Sequence, residues 1–78
     1  MSHSLDKPES GYIIRMEIEL GQLHERTIGL KDFMSFSEIY YRMNDVEQDL
    51  MEDQYIAMIQ YRKVLRERLA IAKGKDNG

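Results

Sequence analysis

Five side chains in the second half of the sequence combine two chemistries suited to a phosphorylated ring. Tyr55 and Tyr61 supply flat aromatic faces, and Arg62, Arg66 and Arg68 supply guanidinium groups. A tyrosine can stack on a base, and an arginine can hold phosphate through two parallel N–H donors. Tyr40 and Tyr41 add two more rings upstream. Together, Tyr55, Tyr61, Arg62, Arg66 and Arg68 form a candidate ligand-binding set for an anionic, nucleotide-like molecule, with copies of the set lining a small pocket across an oligomer interface. Singly, each residue also fits a plainer role, with the tyrosines in a core and the arginines on a solvated surface. Both readings stay open at this level.

Catalysis finds less support. The chain contains no cysteine, no glycine-rich phosphate loop and no His-Glu-x-x-His motif. His24 and Glu25 are adjacent, and neighbours on a helix point about 100° apart, so they do not form a working dyad. The pair Glu52-Asp53 has the chemistry to chelate a hard cation, but it reads more simply as the charged start of a helix. The expectation is therefore a binding protein rather than an enzyme, with no catalytic residues, no metal site and no cofactor.

Size and charge narrow the class further. A chain of 78 residues makes one small domain. It buries only about 60% of its unfolded surface, so its core is thin and it calls for a staple. Without cysteine there is no disulfide or thiolate zinc site, and His3 and His24 are the only histidines. Oligomerisation is the staple that remains. A net charge of −3 argues against general nucleic-acid binding. No apolar run approaches the roughly 20 residues that cross a bilayer, and Met1–Ser10 lacks a signal-peptide pattern. A cytoplasmic location without membrane contact is the default expectation.

These side chains must be carried by helices. Ile13, Met16, Leu20, Leu23, Thr27, Leu30 and Met34 recur at alternating spacings of three and four, a heptad seam broken only by Thr27. Gly21 and Gly29 lie off this seam and weaken the helix by about 1 kcal/mol each relative to alanine. A break is predicted over Met34–Ser37, with Ser35 and Glu38 spaced as a capping box for a short corner helix. Asn44, three residues before Glu47, caps a final helix running from about Asp45 to about Ala72. The fold class is all-α: a helical hairpin of long helix, short corner helix and long helix over residues 11–73, with a flexible arm at 1–10 and a flexible tail at 74–78.

The last helix carries more apolar surface than one partner covers. One row reads Leu50, Gln54, Ala57, Tyr61, Val64, Arg68 and Ile71, and the next reads Met51, Tyr55, Met58, Arg62, Leu65, Leu69 and Ala72. A helix packed on a single neighbour needs an apolar stripe about 100° wide, and this one is wider. The surplus predicts a homo-oligomer forming a helical bundle, with Met51, Tyr55, Met58, Leu65 and Leu69 at its interface. The helix starts acidic, with Asp45, Glu47, Asp49, Glu52 and Asp53, and ends basic, with Arg62, Lys63, Arg66, Arg68 and Lys73. Antiparallel packing, within the hairpin or between two last helices, matches opposite ends.

From Met16 onward the sequence resembles a family of short tailed-bacteriophage proteins with a helical-hairpin pattern, of the crAss-phage-related small-protein type. The resemblance is carried by Leu23-His24-Glu25-Arg26-Thr27, Leu30 and Phe33, then by Glu47-Gln48, Leu50-Met51, Gln54, Ala57-Met58, Tyr61, Val64-Leu65 and Arg68-Leu69. It implies a helical hairpin of phage origin and transfers no established activity. Phage proteins of this build are often accessory factors against host defence, and some similar hairpins sequester cyclic nucleotide signals as oligomers, acting as sponges. The leading expectation is thus an oligomeric counter-defence protein that binds an anionic nucleotide signal in the cytoplasm of an infected bacterium. Two rivals stand beside it. One is an inhibitor that blocks a host defence protein through acidic residues such as Glu47, Asp49, Glu52 and Asp53; the other is a structural or assembly factor with no ligand.

Overall fold

The computed structural model describes residues 8–77, with side chains placed over residues 11–74. Three helices follow in order: α1 (Pro8–Phe36), α2 (Glu38–Arg42) and α3 (Asp45–Asn77). Helices α1 and α3 lie antiparallel as a rod with extents of 58 × 19 × 16 Å, and α2 turns the chain at one end. The all-α hairpin of long, short and long helices is the architecture the heptad spacing predicts, and no strand occurs among the described residues. Among the same residues, no helix is long and apolar enough to cross a membrane.

The core is a single seam. Met16, Leu23, Leu65 and Leu69 are buried together, with Ile13, Leu20, Met58 and Ala72 packed partly against them. Thr27, the polar member of the α1 row, is buried too, and its hydroxyl donates to the Leu23 carbonyl at 2.7 Å. A hydroxyl facing the core is costly unless bonded, and the carbonyl one turn back satisfies it. At the open end of the rod, Lys73 pairs with Glu17 at 2.7 Å, the match of the acidic part of α1 to the basic end of α3.

The corner differs from the predicted one in register. Helix α1 runs through Phe36, past the proposed Ser35 cap, and the Ser37 N–H still donates to the Phe33 carbonyl at 3.0 Å. Ser37, in extended backbone, is the cap: its Oγ accepts from the Ile39 N–H at 3.1 Å. The Ser35 carbonyl instead accepts the Tyr41 hydroxyl at 3.0 Å, which ties the corner back onto α1. Asn44 caps α3 as its sequence position predicts, its Oδ1 accepting from the Glu47 N–H at 2.8 Å.

Helix α3 continues through Asn77, beyond the end expected near Lys73. Gly74 terminates a helix only by taking a left-handed backbone, and no glycine among the described residues has positive φ. Without that turn, its helix-weakening effect of about 1 kcal/mol does not stop the helix. Of the expected flexible arm, residues 8–10 belong to α1, and the remainder lies outside the described residues.

Candidate functional site

The five tyrosines and arginines singled out from the sequence do not form one site. A helix turns 100° per residue, so Leu65 and Leu69, packed on α1, divide the surface of α3 into two flanks. Arg62 and Arg66 fall on one flank with Tyr55, while Tyr61 and Arg68 fall on the other.

On the first flank Arg62, Lys63 and Arg66, together with Ile59, Glu67 and Ala70, line an open groove of about 500 Å³. The two arginines are one helical turn apart, a rise of about 6 Å. Arg62 donates to Nδ1 of His24 on α1 at 3.0 Å, so a neutral His24 carries its proton on Nε2. The ion pairs among the described residues are Arg42–Glu38 and Lys73–Glu17, which leaves Arg62, Lys63 and Arg66 without a carboxylate partner there. Tyr55 is half-buried on the same ridge, seven residues before Arg62, or about 10.5 Å along the axis. All six lining residues come from α3, so the groove has a floor and no opposing wall.

On the second flank, Arg68 meets Tyr12 of α1. The guanidinium carbon lies 5.7 Å from the ring centroid, and a terminal nitrogen donates to the Tyr12 hydroxyl. Tyr61 is exposed on this flank beside Val64. Sequence reasoning missed Tyr12, His24 and Lys63 as members of these two clusters. Lys63 was legible from its position beside Arg62. The other two sit on α1, and only the register between the helices brings them to α3.

Of the residues expected at an oligomer interface, Leu65 and Leu69 are taken up by the hairpin itself. Leu65 and Leu69 are buried against α1 of the same chain, Met58 packs on them, and Met51 and Tyr55 are half-buried. This row is therefore the hairpin's own seam. The row left uncovered is its neighbour, with Val46, Leu50, Val64 and Ile71 all exposed.

The corner holds the most enclosed tyrosine. Tyr40 is buried, stacks edge-on to Phe33 at 6.3 Å, and donates to Glu52 at 3.1 Å. Its removal from water, then the hydrogen bond to Glu52 and the charges of Glu52 and Asp49, push the hydroxyl above the ordinary tyrosine range. Gln48 donates to the Tyr40 carbonyl at 2.8 Å. These contacts pin α2 to α3, so Tyr40 is a corner post, while Tyr41 keeps an exposed ring.

No curated protein and no solved structure is significantly similar to the chain. One family model, described as Sequestin, matches residues 10–71. That span takes in the α1 seam, the corner and the flanks of α3 that carry Arg62, Arg66 and Arg68, and on it the chain belongs to the Sequestin family.

Proposed function

We propose that this chain is a phage counter-defence protein that acts by binding, without catalysis, and that as an oligomer it sequesters an anionic nucleotide immune signal in the cytoplasm of the infected bacterium. One observation carries the reading: Arg62, Lys63 and Arg66 share a groove with a single carboxylate, Glu67, and none of the three is in an ion pair among the described residues. Cations gathered on one face repel one another, and an anion in the groove relieves that cost. Tyr55, about 10.5 Å along the same ridge, stands at a distance suited to stacking a base while the arginines hold its phosphate. The apolar residues Leu50, Val64 and Ile71, left exposed on α3, favour an oligomer, because a second molecule can cover them. The family name, which speaks of sequestration, agrees with binding as the activity.

The test is a thermal-shift screen of the full chain against cyclic nucleotides and nucleotide-derived signals, followed by calorimetry on the compound that shifts. A ligand at 100 times its Kd stabilises the fold by about 2.7 kcal/mol. Arg66→Ala then weakens binding by about 1.5–3 kcal/mol, roughly 10- to 150-fold, with the fold intact. A folded Arg66→Ala protein with unchanged affinity makes the groove solvated surface. The acidic start of α3, with Glu47, Asp49 and Asp53 all exposed, then becomes the leading contact face, for a basic host protein.

A further inference from the structure

We propose that the outward row of α3 is the interface between two copies of this chain, packed antiparallel about a two-fold axis that passes between Gln60 and Tyr61. This rests on the oligomeric half of the function proposed above and is independent of its ligand half.

Leu50, Ala57, Val64 and Ile71 recur every seven residues, the period of a helix seam that meets a second helix. Val64 stands 100° round the helix from its neighbour Leu65, so one row cannot face α1 while the other does. In the hairpin Leu50, Val64 and Ile71 are 62%, 48% and 61% exposed, and Ala57 is exposed between them. A regular apolar row about 32 Å long, left in water beside a complete core, is surface in search of a partner.

Charge chooses the partner and its direction. Asp53 and Arg68 flank the row on α3, one near each end. In a parallel pair each of them meets its own copy, and like charges oppose. In the antiparallel pair the two-fold axis sets Leu50 of one copy against Ile71 of the other, and Ala57 against Val64. The same register brings Asp53 of one copy level with Arg68 of the other, across the apolar row. The acidic start of each α3 then runs beside the basic end of its neighbour, and the two helix dipoles oppose. One register thus satisfies the apolar pairs and the net charge of both halves, which is what a self-complementary two-fold interface requires.

The pairing leaves the groove of Arg62, Lys63 and Arg66 on the opposite flank, so the two functions are separable by mutation. Sedimentation of the full chain at micromolar concentration should give twice the 9.3 kDa chain mass. Val64→Asp should sediment at the chain mass with its helical circular dichroism retained, since this position lies outside the hairpin's own core. If Val64→Asp loses its helicity, Ile71→Lys, nearer the helix end, gives the same reading. Register is tested by disulfide trapping, because the chain has no cysteine of its own. Leu50→Cys mixed with Ile71→Cys should cross-link under mild oxidation, and neither alone should. A monomeric wild type, a Val64→Asp protein of unchanged mass, or efficient cross-linking of Leu50→Cys to itself overturns the proposal. Arg66→Ala separates the two readings: it should remain a dimer whatever it does to nucleotide binding.

Discussion

Leu65 and Val64 are neighbours in sequence and opposites in setting. Leu65 is fully buried against α1, whereas Val64 points about 100° away and is left in water. The rows to which they belong have similar apolar content, so composition does not separate them. What separates them is the row on α1 that meets each: Met16, Leu23 and Thr27 present one continuous seam, and only one row of α3 can lie along it. The first row makes the hairpin, and the second is left over for a different purpose.

The comparison is tested most strongly at Leu65. Leu65→Ala removes a fully buried side chain from the centre of a thin core and should cost about 2–5 kcal/mol in chemical denaturation. Val64→Ala should leave the hairpin's intrinsic stability nearly unchanged, and any fall in its denaturation midpoint should depend on protein concentration. Equal and concentration-independent losses at both positions would erase the distinction between the rows.

Much of this was legible in the sequence because periodicity and capping are local. The spacing of Ile13, Met16, Leu20 and Leu23 marked the seam of α1, and Asn44 with Glu47 marked the start of α3. The corner moved from Ser35 to Ser37 because both serines can cap; Phe33, stacked on Tyr40, and Tyr41, bonded to the Ser35 carbonyl, favour the longer α1. The five-residue ligand set falls on two flanks of α3 because residues close in sequence are separated by helix rotation. Which of the two rows on α3 would face α1 was not decidable from α3 alone, since both have the length and the apolar content. The pairings Tyr12–Arg68 and His24–Arg62 depend on the slide of one helix along the other, which no local pattern encodes.

A smaller effect distinguishes the outer face of α1 from the outer row of α3. Ile18 and Ile28 are exposed there, but Gly21, Glu25, Gly29 and Asp32 interrupt them, so no seven-residue row forms. A Cβ built on Gly21 or Gly29 meets nothing within 4 Å. Gly21→Ala and Gly29→Ala should each stabilise the chain by about 0.5–1 kcal/mol, the helix preference of alanine with no steric cost. A destabilising outcome at either position would mean that the back of α1 is closely approached by another chain, and the interface would shift from α3 to α1.

The finest test concerns the one polar residue inside the buried seam. The Thr27 hydroxyl donates to the Leu23 carbonyl, which is positioned to accept the Thr27 backbone N–H in the regular α-helical ladder. Thr27→Val therefore removes a donor without stripping that carbonyl of its helical bond, and places a methyl group where the hydroxyl stood. Leaving an acceptor unsatisfied is the costly part of losing a hydrogen bond, and that cost is absent here. Burial of the added methyl is worth up to about 0.8 kcal/mol. Valine and threonine have nearly equal helix preference, so the backbone term cancels. The expected result is a gain of less than about 1 kcal/mol by thermal or chemical denaturation. A loss of that size or more would mean that the hydroxyl also serves a contact beyond its own helix, and that the buried row, like the exposed one, has a partner outside the hairpin.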